Sequence, residues 1–447
     1  MQKLVRFIQI KFIPVFPLIL LMILGYSLRR THGFLKTNHL IYITLSLLLF
    51  FSIHIKQVKF KITYKHLSII GLIFSFFISI NADLFYPQNK IGLYFIQASG
   101  ALYFLYFLNE IFEKFKLSTK TFFFFIFLFF LMQLTTLFTS PSPVTDVFSV
   151  AQDGADFLLK GINPYTQDYR DVFNGRYGYV AGYVYWPGIL LSLSPFRWLF
   201  GDVRYFYIFS NLFTIFLLLK LSHQLNLPKK FARSLTLIWT VFPVTFFVLE
   251  QTWTESLIIF QISLLIYSLV NKRLFFAALS LGYICATKQY NCFLALLVLS
   301  YIYKTYELKD FLKFTLVSFL TTLIFFMPFL IWDYQGFIKT TFLDILKYEP
   351  RGDSLSWYSW AYHYYNIKLP SLITLIAYFI PTFYGIYRVI KSKTHYLREL
   401  SFSLIFSYSF VFLLGKQAFC NYYYLLAFLT LLYIIIFIEP TQNQDLK

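Results

Sequence analysis

Three carboxylates, Asp146, Asp153 and Asp156, are spaced so that a helix would carry them on one narrow stripe, shared with Ser149 and Lys160. Carboxylates held together can take a proton from an attacking hydroxyl. The helix that must position them is signalled at both ends. Thr145 supplies the N-cap, Gly161 the stop, and Pro164 forbids continuation. Val147, Phe148, Val150, Ala151, Phe157, Leu158 and Leu159 fill the remaining face, which predicts an amphipathic helix lying at a membrane surface. A Gly161-Ile162-Asn163-Pro164-Tyr165 turn follows, then the aromatic run Tyr183-Val184-Tyr185-Trp186-Pro187. The stripe reads either as the solvated face of that helix or as a reactive patch, and the neighbouring turn and aromatic run favour the patch.

Two lysines interrupt otherwise apolar stretches: Lys288 in Thr-Lys-Gln-Tyr-Asn and Lys416 in Gly-Lys-Gln-Ala-Phe-Cys-Asn. A charge at membrane depth is expensive and usually faces a cavity. Each lysine either snorkels to the interface or, with Arg351, holds a phosphate where membrane meets water. Glu250 and Glu255 flank Trp253 in a short turn, where they hydrogen-bond a polyol or simply mark a helix end.

The elements that position these groups follow from composition. The chain has 447 residues, 58% of them hydrophobic and 13% charged, with a mean hydropathy of +0.63. No soluble globular domain has that balance, so an all-α polytopic membrane protein is expected. Fourteen apolar blocks recur from near 12–28 to near 420–438, so about 12–14 transmembrane helices are expected. The 274–303 region reads as two spans or one broken helix, and 187–200 as interfacial or re-entrant. The organisation is N-terminal spans over 1–138, a first large loop at 139–203, a transmembrane core over 204–332, a second loop at 333–369, and C-terminal spans with a short tail over 370–447. With a cytoplasmic N-terminus, 24 of the 39 Lys and Arg residues fall inside and both large loops outside. The net charge of +19 is thus the positive-inside signature rather than a nucleic-acid footprint. Arg29, Arg30 and Lys36 are the exception, landing outside. Cys285, Cys292 and Cys420 lack the spacing of a zinc site and read as core. P-loop, dinucleotide-binding, zinc-protease and serine-hydrolase motifs are missing, so no cofactor and no metal are expected.

Asp146, the Leu158-Leu159-Lys160-Gly161-Ile162-Asn163-Pro164-Tyr165 turn and Tyr185-Trp186-Pro187 together resemble the GT-C superfamily of membrane glycosyltransferases. The likeness is to the bacterial polyprenol-phosphate-dependent mannosyltransferase-like family, from about Phe138 onward. Weaker echoes are Lys288-Gln289, Arg351 to Ser356 (with Asp353) and Lys416 to Tyr424 (with Asn421). Five spans precede the loop, whereas the family places it after the first, and Trp186 stands where the family often has a proline. The resemblance implies a GT-C-like bundle in the plasma membrane, with both termini cytoplasmic and the site outside. It implies transfer of a sugar from a polyprenyl-phosphate donor to a glycan or glycolipid acceptor, with Asp146 as general base. Asp153 and Asp156 remain alternatives for that role. Lys288, Arg351 and Lys416 would hold the donor phosphate. Asn163, Tyr165, Tyr185, Trp186, Glu255, Asp353 and Asn421 would contact sugar or acceptor. A transporter or lipid flippase, or an envelope polysaccharide polymerase or ligase, is the competing class.

Overall fold

The computed structural model describes residues 13–116, 118–177 and 182–437. Among them every regular element is helical, and nine helices are long and apolar enough to cross a membrane. The chain is a multi-pass membrane protein. Four shorter apolar helices, Tyr64–Ile80, Glu255–Val270, Leu274–Cys285 and Asn291–Thr305, lie among the nine. The block read as a span at 234–249 is a broken pair, Lys229–Thr240 and Thr245–Glu250, with Pro243 in the break. The 274–303 ambiguity resolves into two helices separated at residues 286–290.

Local signals account for many helix ends. Asn89 and Ser118 cap the helices that follow them, and Thr63 forms a reciprocal capping box with His66. The long helix Leu308–Ile338 breaks at Asp333, whose carboxylate accepts the Gly336 N–H at 3.0 Å. The span therefore ends at the residue where composition turns polar.

Contacts tie the connections into two opposite ends. At one end the Leu35 N–H donates to Asp353 O (2.8 Å), and Leu355 to Ala418 O (2.9 Å). There too Trp186 donates to Thr287 O (3.0 Å) and Gly188 to Ala286 O (2.8 Å). At the other end Lys230 meets Glu113 at 3.4 Å, and Glu399 meets Arg388 at 2.8 Å and His54 at 3.3 Å. Both large loops thus share one face with the 31–37 hairpin. The basic residues that broke the charge pattern are absorbed locally: Arg29 pairs with buried Asp83 at 3.0 Å, and Lys36 donates to Arg30 O at 2.7 Å.

In a bilayer, lipid solvates apolar side chains as well as a neighbouring helix does, so helices associate through shape. Tyr64–Ile80 packs along Lys90–Phe112 because Gly71 lies under Phe107 and Gly100 against the Ser79 backbone. Cys420–Phe437 is the central helix, flanked by Phe16–Thr31, Glu255–Val270 and Tyr396–Leu414. The helices Leu308–Lys347 and Leu372–Lys391 lie at the periphery and expose most of their length.

Candidate functional site

The first large loop begins with the predicted helix, Asp146–Leu159. Thr145 caps it, its side chain accepting the Phe148 N–H at 3.2 Å. Gly161 follows at φ +71°, a left-handed conformation that favours glycine. Its start is fixed from outside the helix. Fully buried Arg204 donates to the carbonyls of Ser140 (2.8 Å) and Pro141 (3.2 Å), pairs with Asp202 at 2.6 Å and lies 4.8 Å from the Phe148 ring centre. Glu250, also fully buried, accepts from the N–H groups of Phe85 (2.8 Å) and Tyr86 (2.9 Å) and from Ser140 Oγ (2.6 Å). Two charged side chains thus hold the place where the loop leaves the membrane.

Under this loop lies a cavity of about 800 Å³. Asp146, Lys288, Arg351 and Lys416 all line it. Four groups from distant parts of the sequence therefore share one space, each placed by different contacts. Asp146 is half-buried at the first position of its helix, with Oδ1 accepting the Val147 N–H at 2.8 Å. Lys288 comes from the 286–290 break, which Gln289 ties to both loops by donating to Val184 O (3.0 Å) and Thr341 O (2.9 Å). The ammonium of Lys288 sits 2.6 Å from Glu255, and the rings of Tyr185, Tyr290 and Tyr422 surround it at 5.3–5.7 Å. Glu255 also accepts from Tyr290 (3.0 Å) and from Asn421 Nδ2 (2.7 Å). Arg351 pairs with Asp353 at 3.0 Å, stacks 3.4 Å over the Tyr177 ring centre and lies 4.9 Å from that of Phe419. Lys416 reaches the carbonyls of Leu346 (3.0 Å) and Tyr348 (3.3 Å).

Electrostatically the three cations differ. Glu255 compensates Lys288, and Asp353 compensates Arg351. Lys416 donates to two neutral carbonyls, and among the described residues no carboxylate pairs with it. Tyr185 joins the two sides of the cavity: burial pushes its phenol well up, with Asp146, Tyr422 and Glu255 adding to the effect.

The remaining sequence candidates divide between the cavity wall and its surroundings. Asp153 and Asp156 do not line the cavity among the described residues. Asp156 is clamped by Arg197 of the Pro187–Phe200 helix through two 2.7 Å hydrogen bonds, which hold its carboxyl below the usual range. Burial pushes Asp153 up, and adjacent Asp156 pushes it further. The segment read as interfacial or re-entrant is thus a helix packed on the amphipathic one and latched to it. Asn163 and Tyr165 are buried supports: the Asn163 side chain accepts the Tyr165 N–H at 3.0 Å, and the Tyr165 hydroxyl donates to Tyr185 O at 3.0 Å. Trp186 is buried against Phe326 and Phe342. Tyr185 and Asn421 line the cavity together with Asp353, and Glu255 is buried behind them.

Phe34, Phe85 and Tyr86 also line the cavity, and no sequence motif singles them out. Arg204 and Arg197 were equally silent, because their carboxylate and carbonyl partners are apparent only after folding. Among the described residues no group of three or more His, Cys, Asp or Glu is placed to hold a metal ion. No known protein-family model and no curated protein matches the chain.

Proposed function

We propose that the chain is an integral membrane glycosyltransferase of the GT-C type that uses a sugar carried on a polyprenyl phosphate. The observation that carries this reading is the convergence of Asp146 with Lys288, Arg351 and Lys416 on a single cavity at the loop face. In the reaction, an acceptor hydroxyl oxygen bonds to the anomeric carbon while the bond from that carbon to the phosphate oxygen breaks. The electron pair leaves on the phosphate, and the hydroxyl proton passes to Asp146. Direct displacement inverts the anomeric centre and needs no second carboxylate nucleophile. A positioned base supplies about 10²–10⁴-fold, and cations at the departing phosphate stabilise its charge.

A lipid-borne donor suits the cavity's other wall. The lipid-facing helices Leu308–Lys347 and Leu372–Lys391 both reach it, and they do not pack on one another along their length. Leu346 and Leu375 line the cavity while 73% and 51% exposed, so apolar surface runs from the bilayer to the cations. Lys416 then takes the main share of the phosphate charge, with Arg351 beside it. Lys288, already paired with Glu255, contributes to the neutral floor with Asn421. The loop face is extracytoplasmic, both termini are cytoplasmic, and the membrane is the plasma membrane.

The test is transfer by purified protein in lipid nanodiscs, using polyprenyl-phosphate mannose, glucose, galactose and arabinose with a panel of glycan and glycolipid acceptors. Transfer from at least one donor, abolished in Asp146→Asn, supports the reading. Absence of transfer from every donor rejects it.

A further inference from the structure

Part of the cavity wall comes from neither large loop. Phe34 lies in the 31–37 hairpin and Phe85 and Tyr86 in the 81–89 loop, so the N-terminal helices supply all three. These segments are built with unusual firmness for connections. Glu250 accepts both the Phe85 and Tyr86 N–H groups. The Phe85 ring packs 4.5 Å from His32 and 4.7 Å from Phe247, centre to centre. Asp83, at φ +58°, pairs with Arg29, and Leu35 is tied to Asp353. Despite this anchoring Phe34 and Phe85 stay 41% and 42% exposed. Rigid aromatic rings left exposed beside a polar cavity are a binding feature rather than a packing one.

The company they keep selects the ligand. Tyr86 is within electrostatic reach of Asp146: burial pushes its phenol up, and Glu250 and then Asp146 push it further. Gln251 and Thr145 line the same cavity. An acyl chain would strip water from these polar groups without replacing their hydrogen bonds. A sugar ring offers both an apolar face for Phe34 and Phe85 and hydroxyls for Tyr86.

We propose that Phe34, Phe85 and Tyr86 form the acceptor subsite, which takes a neutral glycan and presents its nucleophilic hydroxyl to Asp146. This rests on the reading of Asp146 as the base. The glycan oxygen forms the new bond to the anomeric carbon, its proton goes to Asp146, and the phosphate departs with the electron pair. The donor enters from the lipid side by Leu346 and Leu375, and the acceptor binds on the wall that Phe34, Phe85 and Tyr86 supply.

Two measurements test the proposal. Saturation-transfer NMR on the protein in nanodiscs, with mannobiose, cellobiose and lactose as probes, should show binding of at least one. That binding should weaken at least tenfold in Phe34→Ala and in Phe85→Ala, whose exposed positions spare the fold. Kinetics with a productive donor should then show the acceptor KM of Phe85→Ala and Tyr86→Phe rising about tenfold while the donor KM stays within twofold. Phe138→Leu, 65% exposed and outside the cavity lining, should change neither constant. Glycan binding that depends on Phe34 and Phe85 without any sugar transfer would sink the transferase reading and keep the subsite. Transfer with an unchanged acceptor KM in both variants would sink the subsite and keep the transferase. Binding of none of the three probes also overturns the proposal.

Discussion

Replacing Lys288 with methionine tests how the cavity floor is held together. Lys288 and Glu255 meet at 2.6 Å with side-chain exposures of 6% and 0%. Both charges are therefore buried within the protein. Lys288→Met keeps most of the length of the side chain but leaves the Glu255 carboxylate, among the described residues, with two neutral donors, Tyr290 and Asn421. Breaking one side of a buried pair typically costs about 3–5 kcal/mol, whereas replacing both sides with neutral groups of similar size is often nearly neutral. The single variant should therefore lose about 3–5 kcal/mol, and Lys288→Met with Glu255→Gln should recover most of that loss. Thermal unfolding can be followed through the buried thiol of Cys420 (0% exposed) with a fluorogenic thiol reagent, after Cys285 and Cys292 are changed to alanine. A single variant that melts with the parent would refute the coupling. So would a double variant whose loss equals the sum of the two single losses, because independent sites add.

Asp146→Asn should lower transfer at least about a hundredfold, the usual worth of a general base, with normal membrane insertion. Asp153→Asn should keep most activity, as its side chain lies off the cavity, and dominance of its loss over that of Asp146→Asn would reassign the base. Asp156→Asn should cost under about 1 kcal/mol, because a pair about one-third exposed (28% and 33%) is screened by solvent. The folded Asp156 carboxyl titrates below its unfolded value of about 3.9. Its contribution is therefore present above that value and lost as the pH falls through the lower folded one, where unfolding curves of Asp156→Asn and the parent should converge. Asp153 works in the opposite sense: pushed up by burial, it costs stability as the pH rises through its folded value, so Asp153→Asn should gain most above it. Cysteines placed singly at Asn174 and Lys347 in a cysteine-free background should react with an impermeant reagent in whole cells, and one at Lys230 only after permeabilisation. Labelling of Lys230 in intact cells reverses the proposed orientation.

Features encoded within a few residues were legible in the sequence by itself. The Asp146–Leu159 helix has its cap and stop where Thr145 and Gly161 predict, since both signals act within one turn. The apolar blocks marked the helices, because a segment in lipid must satisfy its backbone internally, but of the fourteen blocks nine form helices long enough to cross a membrane among the described residues. The break at Asp333 follows the same local logic. Lateral order was not legible, because every apolar face is equally at home against lipid or protein, and packing depends on shape at positions such as Gly71 and Gly100. The same limit applied to the polar groups. Asp146 and Asp156 looked alike on one stripe until folding brought Arg197 to Asp156, 41 residues on, and the cavity to Asp146. Lys288 looked like a bare membrane cation until Glu255 and Asn421, separated by 166 residues, met at one carboxylate. A buried charge requires partners, but its own sequence neighbourhood does not name them, and only tertiary packing decided which groups they are.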